Sequence, residues 1–258
     1  MALEIIQLPQ WQDNYAYLIA DPVAGEAAVV DAPEPGRIPE LLKEKNWQLK
    51  AIFNTHHHPD HIGANRELIR MYPGLEIYGH QNDAGRITGM NRPVDDGDTV
   101  RLGSETAEVL FVPGHTSGHI AYRFGGDVFV GDTLFAGGCG RLFEGTAVQM
   151  HRSLSRLAAL PAISRVWCAH EYTESNLRFA VTIEPGNRAL AARYQKVRDQ
   201  RTKGVPTVPS TIGEEKETNV FLRWDSPEII ERCRETDPGS AADPAQRFAI
   251  VRKLKDRF

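Results

Sequence analysis

Four histidines and an aspartate lie within seven consecutive residues of this chain, Thr55–His61. Imidazole and carboxylate groups together suit zinc, iron, manganese and similar divalent ions. A single His-x-His pair would be weak evidence, because histidine is also common at surfaces and in cores. The segment follows the apolar run Leu49–Phe53, and Pro59 and the crowding of ligand-type residues disfavour a helix. We therefore predict a loop at the end of a strand, which turns several side chains toward one point.

Ligand-type residues also follow three other apolar runs of the sequence, which end next to His115, Asp132 and His170. A His-rich surface loop without a metal would explain the first segment alone. It would not explain four strand ends that each carry a histidine or an aspartate. The recurrence therefore predicts a metal centre at one edge of the sheets.

The elements that must position these residues are indicated by hydrophobic patterning. Helical periodicity predicts helices over Ile38–Lys45, Ala64–Met71 and Val148–Leu160. Runs rich in Val, Ile, Phe and Tyr predict the following strands: Leu3–Leu8, Tyr15–Ala20, Ala27–Val30, Lys50–Asn54, Leu75–Tyr78, Thr99–Leu102, Ala107–Val112, Ile120–Phe124, Asp127–Val130 and Arg165–Cys168. Grouped strands with interspersed helices predict sheets that are covered by helices on their outer faces.

The pattern becomes mostly helical after His170. The run Arg188–Arg201 is rich in good helix formers, and Ala245–Phe258 places apolar residues on one helical stripe. Between them, Gly204–Gly213 holds prolines and glycines and is predicted to be an irregular connector. The change of character predicts a domain boundary near residue 172.

Composition limits the possible functions. The 258 residues are 41% hydrophobic and 25% charged, which predicts a packed globular protein of one large domain or of one domain with an appendage. A net charge of -4 disfavours nucleic-acid binding. An odd number of cysteines without a CxxC pair, Cys139, Cys168 and Cys233, indicates a reducing compartment. No secretory signal or membrane-spanning run is evident in the sequence, so we expect a cytoplasmic protein.

The pattern His56-x-His58-x-Asp60-His61, followed by His115, Asp132 and His170, resembles the metallo-β-lactamase superfamily. Within it, the chain is similar over nearly its whole length to the glyoxalase II, or hydroxyacylglutathione hydrolase, family. The segments that carry this similarity are Thr55–His61, Gly114–His119, Gly131–Phe135, Gly138–Arg141, His170–Thr173, Glu184–Asn187 and Arg252–Asp256. The resemblance implies an α+β fold: an αββα sandwich over residues 1–171, which is the metal-binding catalytic domain, followed by a smaller all-α substrate-binding domain over residues 172–258.

The resemblance also implies two divalent metal ions, with zinc expected and iron or manganese as alternatives. The implied ligands are His56, His58 and His115 for the first ion, Asp60, His61 and His170 for the second, and Asp132 as a bridge between the two. An aspartate suits the bridge because its two oxygens can span ions that lie roughly 3.5–4 Å apart and its charge offsets their repulsion.

The implied reaction is hydrolysis of S-(2-hydroxyacyl)glutathione thioesters, chiefly S-D-lactoylglutathione, to glutathione and a 2-hydroxy acid, a step of methylglyoxal detoxification. Metal binding lowers the pKa of water from about 15.7 to about 7, so a metal-bridging hydroxide can attack at neutral pH. Asp60 and Asp132 are the expected catalytic side chains, and no Ser or Cys nucleophile is required. The expected partner is the small-molecule thioester alone, and a monomer is expected.

A glutathione thioester carries two carboxylates, so its site should supply cations and hydrogen-bond donors. Arg252 and Lys255 share a face of the last predicted helix. By resemblance they bind the glycine carboxylate of glutathione, and the assisting residues are Arg141, Phe143, Tyr172 and Asn176. The alternative is a solvated basic helix end that is stabilised by its own dipole. The family often has Lys at position 141 and Tyr at position 143, so these departures should change substrate affinity and leave the metal chemistry intact.

Other functions remain open at this point. Relatives on the same fold oxidise glutathione persulfide with a single iron and part of the ligand set, whereas Asp60, His61 and His170 are all present here. A binding module that had lost its chemistry should have replaced ligands, and none is replaced. Hydrolases of β-lactams or phosphodiesters would not explain Arg252 and Lys255.

Five further residues are not assigned as ligands. His57 lies between ligands and should point away from them, and His119 is expected to be a structural group near the site. His80 and His151 have no partners in the pattern and are predicted to be surface residues. Asp31 either orients a ligating histidine or caps a turn.

Overall fold

The computed structural model describes residues 3–239 and 242–258, so that Met1 and Ala2 of the N-terminal segment lie outside the described residues. The chain forms two compact units. The first comprises Met1–Phe111 and Gly118–Gly131, and the second comprises Val112–Ser117 and Asp132–Phe258. These units are defined by packing, and the domain boundary near residue 172 stays a prediction.

The first unit contains a six-stranded mixed sheet, whose strands lie in the order β1 to β6. The strands are β1 (Glu4–Gln10), β2 (Asn14–Asp21), β3 (Glu26–Val30), β4 (Gln48–Phe53), β5 (Glu76–His80) and β6 (Arg92–Val94). The first three pair antiparallel, and β3 to β6 pair parallel. Helices α1 (Ile38–Lys45), α2 (Pro59–Ile62) and α3 (Asn65–Met71) lie in the connections, as parallel pairing requires.

Four antiparallel strands in the first unit form a second layer: β7 (Thr99–Leu102), β8 (Glu105–Phe111), β9 (Ile120–Phe124) and β10 (Asp127–Gly131). Aromatic rings join the two layers. The ring of Phe53 on β4 lies 5.2 Å from that of Tyr122 and 5.8 Å from that of Phe124, both on β9. Tyr17 on β2 meets Phe129 on β10 at 5.4 Å. The core of the first unit therefore lies between two stacked sheets.

The opposite face of the first sheet is covered by helices. Ile38, Leu41 and Leu42 of α1 and Leu68 of α3 are buried in one cluster with apolar residues of β2 to β5. On β2, the cluster takes Ala16, Leu18 and Ala20, whereas Tyr17 points to the other sheet. This period-2 alternation, with apolar residues on both faces, is the pattern of a strand that is buried on both sides.

The second unit is largely helical. Its strands are β11 (Leu134–Phe135), β12 (Gly138–Cys139), β13 (Arg165–Cys168) and β14 (Ser210–Thr211). Its helices are α4 (Ala147–Ala158), α5 (Thr173–Ile183), α6 (Arg188–Arg201), α7 (Ile212–Thr218), α8 (Pro227–Thr236) and α9 (Pro244–Asp256). A capping box of Thr146 and Gln149 begins α4, because each satisfies a backbone N–H that the helix leaves without an internal acceptor. Helix α5 packs against α6, and α9 packs against α4 and α8.

Three predictions from the sequence were wrong. Pro59–Ile62 is a helical turn rather than part of a loop. The N–H of the first helical residue has no acceptor within the helix, so a proline, which has no N–H, is favoured at that position. Gly204–Gly213 is not irregular throughout, since β14 and the start of α7 fall within it. His80 is buried, with 2% of its surface exposed, where its ring stacks on Phe111. Over the described ranges, every helix is too short or too polar to cross a membrane.

Candidate metal centre

The histidine-rich segment begins where β4 ends. The parallel register sets Val30 beside Phe53, so that the residues after β3 lie next to the residues after β4. Residues 54–58 leave the sheet without regular structure, and α2 then carries Asp60 and His61. The carboxyl ends of two neighbouring parallel strands therefore bring Asp31 to the segment that starts at Thr55.

Asp31 organises this segment through three hydrogen bonds. Its Oδ1 accepts from the backbone N–H of Thr55 at 2.8 Å, and its Oδ2 accepts from Thr55 Oγ1 at 2.7 Å. The same Oδ2 lies 2.9 Å from Nδ1 of His61. A carboxylate only accepts, so Nδ1 of His61 donates and Nε2 keeps its lone pair for a cation. Asp31 is therefore the hydrogen-bond partner of His61, and the role of His61 as a metal ligand stays a prediction.

Two more ligand-type side chains of the first unit are oriented by neighbours. Because the Thr55 hydroxyl donates to Asp31, it can accept from Nδ1 of His56, which lies 3.1 Å away. Asn14 Nδ2 donates to Oδ2 of Asp60 at 3.1 Å. Asn14 was missed in the sequence, because an asparagine at the start of a strand carries no signal of its partner.

In the second unit, Asp132 lies close to two histidines. Its Oδ2 is 3.4 Å from Nε2 of His115 and 3.4 Å from Nε2 of His170. His115 Nδ1 lies 2.9 Å from the carbonyl oxygen of Arg141 and must donate to it, which again leaves Nε2 available to a metal. The His170 ring stacks on Tyr172 at 4.7 Å with an interplanar angle of 3°.

Three groups of these side chains have ligand atoms within 4.8 Å of one another: His56, His58 and His115; His56, His61 and Asp132; and Asp60, His61 and His170. All seven predicted ligands are included. His58 and Asp60 are half-buried and the other five are buried. Buried imidazoles with Nδ1 engaged, beside carboxylates, form a donor set that fits divalent ions such as zinc, iron or manganese.

Two other histidines near this segment are not part of those groups, within the described part of the chain. His57 Nδ1 lies 3.1 Å from Oδ1 of the buried Asp83, which agrees with its predicted direction away from the ligands. His119 is fully buried and stacks on His56, with 4.6 Å between ring centroids. It therefore contributes packing, as predicted.

The predicted substrate-binding residues differ in exposure. Arg141 is exposed, and its Nε lies 3.9 Å from a carboxylate oxygen of Asp256. Phe143 is 62% exposed, although its ring meets the edge of the His115 ring at 5.1 Å. Both side chains are therefore exposed, and Phe143 also contacts His115, one of the predicted ligands.

The other predicted substrate-binding residues are more enclosed. Arg252 is only 5% exposed and donates from Nη1 to the carbonyl oxygen of Cys139 at 2.9 Å. Asn176 is buried and donates to the carbonyl oxygen of Ala136 at 3.2 Å. Lys255 is half-buried, and burial, with the nearby charge of Arg252, lowers its pKa to about 8. The charge of Lys255 is therefore sensitive to pH near neutrality.

Comparison with protein families gives two matches. A model described as the metallo-beta-lactamase superfamily matches residues 10–170, and one described as the hydroxyacylglutathione hydrolase C-terminus matches residues 171–258. Among curated proteins, the hydroxyacylglutathione hydrolase of Synechococcus sp. strain JA-2-3B'a(2-13) is 53% identical over 99% of this chain and 100% of its own length. That of Gloeobacter violaceus is 53% identical over 96% of both chains.

Solved structures show the same fold. ETHE1 from Myxococcus xanthus superposes with a TM-score of 0.69 at 27% identity, over 97% of this chain and 91% of its own. TTHA1623, solved in a di-iron-bound form, gives a TM-score of 0.60 at 26% identity, over 85% of this chain and 100% of its own. The two stacked sheets with outer helices are thus shared with proteins of known structure.

Proposed function

The chain belongs to the hydroxyacylglutathione hydrolase family of the metallo-β-lactamase superfamily, and we propose that it hydrolyses S-(2-hydroxyacyl)glutathione thioesters to glutathione and 2-hydroxy acids. S-D-lactoylglutathione is the proposed main substrate, which makes the reaction a step of methylglyoxal detoxification. The predicted α+β fold with a helical C-terminal part is confirmed by the family models and by the solved structures. The observation that carries the proposal is the complete set of His and Asp ligands in a chain similar to these hydrolases over its full length.

The proposed metal centre uses the seven grouped side chains. His56, His58 and His115 would hold one divalent ion, Asp60, His61 and His170 a second, and Asp132 both. When bound, such ions would supply a hydroxide at neutral pH and polarise the thioester carbonyl. The distances of 3.4 Å from one Asp132 oxygen to both His115 and His170 support the bridging role.

The chain's own contribution is to fix the donors in advance. Asp31 and the Arg141 carbonyl hold the Nδ1 protons of His61 and His115, so both rings present Nε2. Asn14 orients the Asp60 carboxylate. Donors that are fixed in this way need no reorganisation when a metal binds or when charge develops during the reaction.

A thiol nucleophile from the protein is disfavoured. Cys139, the cysteine between the two glycines of Gly138–Gly140, is 4% exposed, and burial raises its pKa to about 11. Burial raises the pKa of Cys168 to about 12. Thiols of this kind stay protonated at neutral pH, and the thiolate is the nucleophilic form. Hydrolysis without a covalent intermediate on cysteine is therefore the proposed route.

The finer assignments are also proposals. Zinc is the proposed metal, and iron is the first alternative, since the related TTHA1623 was solved with two irons. The proposed location is a reducing cytoplasm, which the buried cysteines Cys139, Cys168 and Cys233, none of them in a disulfide, support. The meeting of the two family models at residues 170 and 171 supports the boundary between a catalytic and a substrate-binding domain. A monomer is the proposed oligomeric state.

For the substrate, Arg141, Tyr172 and Lys255 are the proposed contacts with the glutathione moiety. Phe143 offers an exposed ring where a tyrosine would offer a hydroxyl, so the proposed contact there is apolar. Arg252 and Asn176 remain in the proposed set. Both donate to backbone carbonyls, and Arg252 also donates to Asp256 and to Sγ of Cys139. Arg252 and Asn176 would then affect substrate binding both by direct contact and by holding the backbone at Cys139 and Ala136.

The experiment that tests the function compares two thioesters of D-lactate, one with glutathione and one with a small neutral thiol. We expect release of free thiol from the glutathione compound with a much lower KM, because only this compound carries carboxylates for Arg141 and Lys255. Equal KM values for the two would show that the glutathione moiety is not recognised. If neither thioester released free thiol, the proposal that the chain hydrolyses thioesters would be wrong.

A further inference from the structure

Residues 132–141 form a hairpin that links two parts of the proposed metal centre. Asp132 begins it, and the carbonyl oxygen of Arg141 at its end accepts the hydrogen bond from His115. Between them, Leu134 pairs with Cys139 and Phe135 with Gly138 in a two-residue ladder. So short a ladder is weak by itself, and the positions of Asp132 and of the Arg141 carbonyl depend on what else holds this backbone.

Side chains at the end of α7 bind the tip of the hairpin. Asn219 Nδ2 lies 2.9 Å from the carbonyl oxygen of Gly138 and 3.3 Å from that of Phe135. Glu215 Oε2 accepts from the backbone N–H of Gly137 at 2.8 Å and from Asn219 Nδ2 at 2.9 Å. Both side chains are fully buried. Backbone groups that the short ladder leaves unpaired are thus satisfied by two side chains that also bind each other.

Glu215 is in turn held by Arg193 of α6. Arg193 Nη2 donates to Glu215 Oε1 at 2.6 Å, and its Nη1 donates to Thr218 Oγ1 at 2.7 Å. Arg193 is 6% exposed, so the ion pair is shielded from water. A buried carboxylate needs such a counter-ion, because an unpaired buried charge is costly. The arginine therefore holds one carboxylate oxygen of Glu215 while the other oxygen accepts the hydrogen bond from Gly137.

The remaining carbonyls of the tip are bound from two other helices. Asn176 of α5 donates to Ala136, and Arg252 of α9 donates to Cys139. Every residue from Phe135 to Cys139 therefore has a backbone group bound by a side chain of the helical part of the chain. The position of the hairpin is therefore fixed by side chains from these helices.

Glycines make the fit tight at the end that meets the ligands. A Cβ on Gly140 would lie 2.0 Å from the carbonyl oxygen of Asp132 and 3.0 Å from Nδ1 of His115. A Cβ on Gly138 would lie 2.5 Å from the Asn176 amide. Such close approach requires glycine at these positions. Because the hairpin is in tight contact with His115 and Asp132, a displacement of the hairpin would also displace these two side chains.

We propose that Asn219 and Glu215, with Arg193 behind them, are positioning residues of the metal centre, which act through the 132–141 hairpin on Asp132 and His115. The inference rests on one part of the proposed function, namely that Asp132 and His115 bind metal. It assigns a role in the reaction to helices that contribute no ligand.

The test measures Zn²⁺ affinity of the full chain by competition with a chelator, together with kcat and Tm. The variants are Asn219→Ala and Glu215→Gln. The matched control is Glu184→Gln, because Glu184 is also a buried glutamate (2% exposed) with an arginine partner, Arg223 at 2.7 Å, and its other side-chain partners are Asn187 and Ser226. All three variants are expected to lower Tm.

We expect Zn²⁺ affinity and kcat to fall by about 10- to 100-fold in Asn219→Ala and Glu215→Gln, as for other residues that support metal ligands, and to stay unchanged in Glu184→Gln. Zn²⁺ affinity equal to that of the unmodified chain in either folded hairpin variant would overturn the proposal and leave a structural role only. The chelator competition uses no thioester. If the chain lacked thioesterase activity, the proposed function would be wrong, but the Zn²⁺ affinities would still test the positioning role of Asn219 and Glu215.

Discussion

Single side chains show how the centre is prepared for a cation. His61 and His115 each donate from Nδ1, one to a carboxylate and the other to a backbone carbonyl. A neutral imidazole whose Nδ1 carries the proton has its lone pair on Nε2, and a carboxylate partner also raises its basicity. The tautomers are therefore set by the fold before any metal binds.

Replacing Asp132 by alanine should remove most of the bound metal and the turnover. One oxygen of its carboxylate lies 3.4 Å from Nε2 of both His115 and His170, which are two of the proposed ligands. Loss of a supporting residue costs about 10- to 100-fold, so loss of the proposed bridge should cost more. Metal content per chain and kcat are the measurements. Retention of both in Asp132→Ala would show that this aspartate bridges nothing.

The affinity for substrate should depend on pH through Lys255. Burial, followed by the charges of Arg252, Arg178 and Arg141, lowers the pKa of Lys255 from 10.5 to about 8. The charged form is therefore lost as the pH rises through about 8, and KM for the glutathione thioester should rise over that range. Lys255→Arg should remove this rise, because arginine stays charged. A KM that is flat for the unmodified chain between about pH 7 and about pH 9 would contradict the role of Lys255.

Among the elements, β3 ends immediately before the residue that organises the histidine-rich segment. Asp31 lies there with φ of 43°, in the left-handed region that aspartate and asparagine tolerate better than most residues. Its three hydrogen bonds fix Thr55 and His61. The end of a strand in the first sheet therefore positions a proposed ligand on α2, although the strand supplies none of the seven proposed ligands.

Asp31→Asn should weaken Zn²⁺ binding by about 10- to 100-fold, since the amide keeps the backbone conformation and loses the charge that supports His61. Asp21→Asn is the control. Asp21 is also buried, and its carboxylate accepts from Val23, Ala24 and Ser104, none of which is a proposed ligand. Zn²⁺ titration of the two variants decides: equal affinities would mean that Asp31 only caps a turn.

Elements with a clear hydrophobic period were predictable from the sequence. The structure has the predicted bounds for the helix Ile38–Lys45 and the strand Thr99–Leu102. The run Arg188–Arg201, indicated by its content of good helix formers, is a helix with the same bounds. The strands β11 and β12 were missed, because two residues are too few for a period and their partners, such as Asn219, lie about eighty positions away in the sequence. Long-range side-chain contacts of this kind leave no local signal.

The site was predictable to a different degree. Metal-ligand residue types at the ends of apolar runs indicated the segment Thr55–His61 and the residues His115, Asp132 and His170. The resemblance to the metallo-β-lactamase superfamily then implied the seven members of the grouped set. The residues that orient them were less accessible. The sequence left two alternative roles open for Asp31 and predicted no role for Asn14. A hydrogen-bond partner need not lie at any regular spacing from the residue that it orients. Arg252 and Asn176 were expected to face substrate, whereas their described hydrogen bonds include the backbone of the 132–141 hairpin.

For the whole molecule, the fold does not determine the reaction. The metallo-β-lactamase fold carries many chemistries, so the reaction has to follow from the ligands and from the groups that meet the substrate. Here the grouped His and Asp side chains are the proposed ligands of a two-metal hydrolytic centre, and the cations Arg141 and Lys255 suit the carboxylates of glutathione. These two features, taken together, distinguish a glutathione thioesterase from the other hydrolases of the fold.

The central claim is that this chain hydrolyses S-D-lactoylglutathione with two bound metal ions. The most direct measurement is the rate of that hydrolysis by the purified chain with and without a chelator, beside a count of metal ions per chain. We predict turnover that the chelator abolishes, that added Zn²⁺ restores, and that accompanies close to two ions per chain. Turnover that persists after the ions have been removed would contradict the two-metal mechanism, and no turnover with two ions bound would contradict the substrate.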